Sequence, residues 1–400
     1  MMMDNYLCFD INGKTAYVKR DYIDTLNKVS TIIFDCDGVL IDARDSYNRS
    51  ISWTVSYLAE NLMNTSISKE DISDLLIYNF RKSGGFNNDW DTTYAILLYL
   101  FTRSSKKVIN KYSELFQKFH STSIPTKAYD RVLEIKKLLS TVKISNKVSK
   151  NVQRDLLIFS EMADSRGIIS LIDVLPKIED RKALLGFSMV MSYPEKVGIS
   201  TITTVFEEFF LGSNLFFKKY GFSSIFLNDF PGLVFREVPI LTDIAMNMLI
   251  KLFGESNFGI VSGRSYFTAE YTLGPLIKYF NSELNIFIDD EIFLALKKGD
   301  KEKISEFSKP HPYSLLKVEK NALKTGNILY VGDSMEDLIM VKQSNNFLNR
   351  FIAAGVYGYS DNPETLVKMF VKNNAYIITE SVNDIPYLFK IIMSDKNEII

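Results

Sequence analysis

Thr31-Ile32-Ile33-Phe34-Asp35-Cys36-Asp37-Gly38-Val39-Leu40 is the stretch that decides the fold. A run of β-branched and apolar residues leads directly into two aspartates and a glycine. A short run without polar alternation marks a strand buried on both faces, as in a parallel sheet covered by helices. In open sheets of that kind, ligands lie beyond the carboxyl ends of the strands. Asp35 and Asp37 therefore stand where chemistry is expected.

The same grammar returns after Pro239. Thr242 caps a helix expected over Asp243 to Phe253, which Gly254 ends. Strands are expected at Phe258–Val261, Ile286–Ile288, Ile328–Val331, Phe351–Val356 and Tyr376–Thr379, with a helix over Ser334–Ser344. Alternating strands and helices imply a parallel sheet with helices on both sides. At the start, Tyr6–Ile11 and Lys14–Lys19 flank Asn12-Gly13, a pair suited to the positive φ angles of a tight hairpin turn; Arg20–Val29 then has helical spacing. Between these blocks the pattern is helical: Tyr47–Met63, Asp91–Phe101, Lys106–His120, Ala128–Ser140, Val152–Met162 and Ile199–Phe217. The expected organisation is an α/β core from residues 1–42 and 240–400, its first 30 residues a hairpin extension. Residues 43–239 form a mostly α-helical domain inserted after the first core strand.

Composition agrees with an ordinary globular protein, at 46% hydrophobic and 24% charged residues. A formal net charge of -1 supplies no basic field for a nucleic-acid backbone. No apolar stretch is long enough for a membrane span, and the first residues lack the basic-then-apolar pattern of a signal peptide. Two cysteines, with Cys36 inside the apolar run, fit a reducing compartment better than a disulfide framework. The expectation is a cytoplasmic protein, monomer or homodimer, with no nucleic-acid or membrane partner.

The residues just beyond each core strand carry the chemistry. One strand ends in Asp35-Cys36-Asp37-Gly38, another in Ser262-Gly263-Arg264, a third in Gly332-Asp333-Ser334-Met335-Glu336-Asp337. If these strands are neighbours, carboxylates and a hydroxyl converge on one crevice, and that much negative charge needs a cation. Oxygen ligands without cysteine or histidine favour Mg²⁺, which takes one or two carboxylates, waters and substrate phosphate.

Taken in order, Asp35-x-Asp37-Gly38-Val39-Leu40, Ser262, Lys309-Pro310 and Gly332-Asp333-Ser334-x-x-Asp337 resemble the four motifs of haloacid-dehalogenase-like (HAD) phosphatases. The resemblance covers residues 31–42 and roughly 240–400. It implies a Rossmann-like HAD core with a helical cap, here longer than the family's usual one. It also implies that Asp35 attacks phosphorus, giving an aspartyl-phosphate, while Asp37 serves as acid and then base. Ser262 and Lys309 would hold the phosphoryl oxygens. Asp35, the Asp37 carbonyl, Asp333 and Asp337 would bind Mg²⁺. An acid–base aspartate two positions after the nucleophile marks the phosphatase and phosphomutase branches, against dehalogenases and ion pumps. The expected activity is hydrolysis of a small-molecule phosphate monoester, with a sugar phosphomutase and a non-catalytic binding module as alternatives.

Some residues invite two readings. Gly38 serves either a tight turn or a close backbone approach to phosphate. Gly263 and Arg264 adjoin the same site, and Arg264 either reaches phosphate or faces water. In the helical block, Gly84-Gly85-Phe86-Asn87-Asn88-Asp89-Trp90 reads as a helix cap or as a loop over the substrate, with Asn87, Asn88, Asp89 and Trp90 as contacts. Arg49 is a further substrate candidate. The aromatic density from Phe206 to Phe235 reads as packing.

Overall fold

The structure, a computed structural model, describes residues 5–86, 88–142, 146–147, 151–172, 174–175, 180–298, 300, 304–323, 325–360 and 362–394. The chain divides into two compact units, Met1–Ala43 with Glu237–Ile400, and Arg44–Arg236.

The first unit is α/β. Its strands are β1 (Tyr6–Ile11), β2 (Lys14–Lys19), β3 (Val29–Phe34), β4 (Phe258–Ser262), β5 (Ile286–Phe287), β6 (Asn327–Gly332), β7 (Phe351–Val356) and β8 (Ile377–Thr379). They form one sheet in the order β1-β2-β8-β7-β6-β3-β4-β5. Pairing is parallel from β8 through to β5, while β1–β2 and β2–β8 are antiparallel. β3 lies between β6 and β4, and Ile32, Ile33 and Phe34 are fully buried, as an interior parallel strand requires. Asn12 and Gly13 take φ of 55° and 81°, and the Asp10 carboxylate accepts the Gly13 N–H at 2.9 Å. The hairpin continues the sheet through β2 and β8, and the Tyr6 hydroxyl donates to the Ala375 carbonyl at 2.7 Å.

Some local expectations give way to tertiary pairing. The helix expected over Arg20–Val29 shrinks to a 3₁₀ turn, Arg20–Tyr22, and a single turn, Ile23–Leu26, because Val29 is drawn into β3 opposite Asn327. Ile288 opens a helix, Ile288–Lys298, whose first turn carries Asp289, Asp290 and Glu291 against the positive helix end. Residues 237–239 group with the α/β unit, since Val238–Pro239 pairs antiparallel with Ile41–Asp42.

The second unit is helical: Arg44–Met63, Asp74–Lys82, Asp89–Thr102, Lys106–Ser121, Ala128–Leu139, Val152–Ser160, Ile168–Ile172, Arg181–Met191 and Thr201–Tyr220. Phe206, Phe209, Phe210 and Phe216 are buried and serve packing, whereas Phe217 and Phe235 of the same aromatic stretch are exposed. Among the described residues no helix is long and apolar enough to cross a membrane. Two buried charges tie loops into this unit. The Glu208 carboxylate accepts the backbone N–H groups of Ile225, Phe226 and Leu227 at 2.7–2.9 Å. Arg131, 1% exposed, donates to the carbonyls of Pro125, Thr126, Val190 and Ile199. Arg131→Met would strand those acceptors, each unmet buried partner costing about 1–3 kcal/mol. The expected result is a thermal midpoint lower by several degrees; an unchanged midpoint would show that water replaces the guanidinium.

Candidate functional site

β3, β4 and β6 are neighbours and parallel, so their carboxyl ends lie side by side. That brings Asp35, Ser262 and Asp333 to one edge of the sheet. Asp35 follows β3 directly. Its N–H donates to the Val331 carbonyl at 2.8 Å, prolonging the ladder by one residue, and its Oδ1 accepts the Cys36 N–H at 2.7 Å. The carboxylate is thereby held in one orientation, 8% exposed.

Lys309 arrives from the segment between β5 and β6. Its Nζ lies 2.8 Å from Asp35 Oδ2 and 2.9 Å from Asp337 Oδ1. Asp337 is the third residue of the helix Met335–Asn345 and closes a capping box with Ser334, so its Oδ2 accepts the Ser334 N–H at 3.1 Å and hydroxyl at 2.7 Å. Its Oδ1 lies 3.0 Å from the Tyr330 hydroxyl. Both oxygens of Asp337 are thus engaged, and their nearest cation is Lys309. Asp35, Asp333 and Asp337 nonetheless present carboxylate oxygens within 4.8 Å of one another, a grouping able to hold a metal ion.

Electrostatics follow from the crowding. Burial, opposed by Lys309 and reinforced by Asp337, pushes the Asp35 carboxyl up to about 6. Burial, then Asp337 and Asp35, push Asp333 well above the ordinary carboxylate range. Burial and Asp337 raise Glu336 to about 7. Asp337 itself is lowered: burial works against it, but Lys309 and its hydrogen bonds prevail. Lys309 is raised well above its usual value, since Asp337 and Asp35 outweigh burial. A cation among Asp35, Asp333 and their neighbours relieves this mutual repulsion, so the donor set fits a hard divalent ion.

Gly38 lies in a tight turn. Its φ is +72°, its N–H donates to the Ile41 carbonyl at 2.8 Å, and a Cβ there would fall 2.0 Å from Asp333 Oδ2. A side chain at this position would displace the Asp333 carboxylate. Ser262 is 1% exposed, and a Cβ on Gly263 would meet open space.

Arg264 faces neither water nor open crevice. It is 5% exposed and its guanidinium meets the Asp37 Oδ1 at 2.5 Å and both oxygens of Glu237, at 3.0 and 3.1 Å. Partial burial raises the Asp37 carboxyl, with Arg264 opposing. Glu237 and Tyr330 are the residues that sequence reasoning did not single out. The one signal Tyr330 carries in sequence is a hydroxyl within the apolar run Ile328–Val331; Glu237 carries no local signal.

The remaining candidates belong to the helical unit. Asn88 caps the helix Asp89–Thr102 by accepting the Trp90 N–H at 2.8 Å, and Asp89 pairs with Arg81 at 2.9 Å. Trp90 packs edge-on against Phe206. Gly85 lies so close to a neighbouring loop that a Cβ would meet Asp164 O at 2.3 Å, and Phe86 is fully buried. Capping and close packing account for these residues locally. Arg49 pairs with Asp45. Asn87 lies outside the described residues.

No protein-family model matches the chain, and no curated protein matches it. Among solved structures, it is similar to a crystal structure determined as a structural-genomics target, with 18% identity and a TM-score of 0.57, over 87% of this chain and 94% of that one. A phosphatase, Tt82, from Thermococcus thioreducens is 20% identical over 86% of this chain and 97% of its own, with a TM-score of 0.46. The first likeness shows a shared fold.

Proposed function

We propose that the protein is a Mg²⁺-dependent phosphatase of the HAD kind, with the α/β unit as its catalytic core and the helical unit as its cap. It hydrolyses a small-molecule phosphate monoester through an aspartyl-phosphate on Asp35. The observation that carries this reading is the placement of Asp35: a backbone-fixed carboxylate at the end of the central strand, 2.8 Å from a buried lysine and grouped with Asp333 and Asp337.

In the first half-reaction an Asp35 oxygen bonds to phosphorus as the ester P–O bond breaks, and Asp37 passes its proton to the departing alkoxide. In the second, water loses a proton to Asp37 and attacks phosphorus, and the bond from Asp35 to phosphorus breaks. Lys309, with Ser262 at the end of the strand paired to β3, matches the negative charge of the phosphoryl oxygens. The Asp37 main-chain carbonyl would also bind the ion. Asp35 and Asp333 would hold Mg²⁺ directly, while Asp337, its oxygens already engaged, chiefly anchors Lys309. When bound, the ion neutralises charge on the carboxylates and the phosphate, which lets one anion approach another.

The test is phosphate release from p-nitrophenyl phosphate and a panel of phosphorylated metabolites. Turnover is expected with Mg²⁺ and lost on chelation, with label from a radioactive phosphate ester trapped on the protein in a hydroxylamine-labile form. Turnover that persists in chelator, or a hydroxylamine-stable label, would overturn the reading.

A further inference from the structure

A loop carboxylate that gives a proton and later takes one must be aimed. The turn at Gly38 fixes the backbone beside Asp37, but the side chain keeps its own rotations. Arg264 restricts them by bonding Asp37 Oδ1 through one guanidinium nitrogen. Arg264 is in turn locked: two of its nitrogens meet the two oxygens of Glu237, in the bidentate geometry that fixes a guanidinium plane. Glu237 is held from behind by the Thr272 hydroxyl, 2.7 Å from its Oε2. The pair is interior, the Arg264 side chain 1% exposed and that of Glu237 0%, whereas the Asp37 side chain remains 38% exposed.

A buried ion pair is often no more stable than apolar residues of the same volume. Stability alone is therefore a weak reason for Arg264 and Glu237 to sit here. Their reach to the one accessible carboxylate of the trio supplies a better one.

We propose that Arg264, locked by Glu237, is a positioning residue that aims the Asp37 carboxyl at the leaving-group oxygen. The proposal rests on the phosphatase reading above and adds what that reading lacks, a device that orients its acid. As the ester P–O bond breaks, the Asp37 proton moves to the departing oxygen, and Arg264 stays protonated throughout.

The experiment compares kcat/KM for p-nitrophenyl phosphate, whose leaving group departs readily without a proton, and for phenyl phosphate, whose leaving group needs one. Wild type, Asp37→Asn, Arg264→Lys and Glu237→Gln are measured with Mg²⁺, each checked for folding by thermal unfolding. General acid catalysis is worth roughly 10²-fold or more, so Asp37→Asn is expected to lose about that much on phenyl phosphate and far less on p-nitrophenyl phosphate. Arg264→Lys and Glu237→Gln are expected to show the same skewed loss, smaller in size, with KM little changed. If both substrates lose equally in these two variants while Asp37→Asn stays skewed, Arg264 binds phosphate or serves folding, and the proposal falls. If wild type hydrolyses neither ester, it is the phosphatase reading that fails. Should Arg264→Lys not fold, Glu237→Gln alone decides, because it leaves the guanidinium in place and loosens only its lock.

Discussion

Asp35→Asn is expected to abolish turnover while making the metal-free protein more stable. Loss of a nucleophile costs about 10⁴-fold or more in kcat when other groups cannot replace it. The gain in stability comes from the same crowding that suits the site to a cation. The Asp35 carboxyl is pushed up to about 6 in the folded chain, against about 3.9 for an unfolded aspartate. Between those values the folded state binds more protons than the unfolded one. Stability therefore falls as pH rises through that window, and the ionised carboxylate weakens the fold at neutral pH. Two units at about 1.4 kcal/mol each set a ceiling of roughly 3 kcal/mol. Asparagine carries no charge, and Lys309 keeps its contact with Asp337. Thermal unfolding in chelator from pH 4 to 7 should show wild type losing stability as pH rises, with a flatter profile for the variant. Mg²⁺ should then stabilise wild type more than the variant, because binding to the folded state alone raises its stability. A variant less stable than wild type at pH 7 would remove the like-charge account of the site.

Lys309→Met should act in the opposite direction on stability and in the same direction on activity. It leaves Asp35 and Asp337 buried without their shared cation, and breaking a buried pair from one side costs about 3–5 kcal/mol. Asp337 is held below the ordinary carboxylate range chiefly by Lys309 against the pull of burial. A group lowered on folding adds stability that is present at neutral pH and lost as pH falls through its folded value. Without Lys309 that contribution disappears, so the deficit of the variant should be largest at neutral pH and shrink in acid. Adding Asp337→Asn should recover part of the loss, the two changes being non-additive because the groups touch. Urea unfolding followed by circular dichroism checks both points. A Lys309→Met protein as stable as wild type would mean the lysine is solvated and not paired.

The opposite signs of these two effects separate a charge-driven site from a merely packed one. Loss of a favourable polar contact alone would destabilise both variants, whereas excess negative charge destabilises only the one that loses its cation.

Local chemistry made much of the α/β unit legible. The apolar run before Asp35 named a buried strand because a parallel strand has no wet face to mark with polar residues. Thr242 and Gly254 bounded a helix at both ends, since capping needs particular residue types at particular places. Asn12-Gly13 named its turn for the same reason. The motif residues Asp35, Ser262 and Asp333 could be picked out because each stands at a strand end, and strand ends are read from the strand itself.

Other features depend on contacts between distant residues and leave no periodic trace. Val29 has helical neighbours in sequence, yet pairing with β6 takes it into the sheet. That Gly85 serves a close approach to the loop at Asp164 is visible only once that loop lies against it. The engagement of both Asp337 oxygens requires Tyr330 and Lys309 to arrive from separate elements. Glu237 is the clearest case: an ordinary acidic residue in sequence, and in the structure the lock on Arg264 beside Asp37. Strand ends, and the acids standing there, were readable in the chain because backbone propensity and burial act over a few residues. Which of those charges meet was settled by the folded chain, because a long-range ion pair depends on chain path and not on spacing.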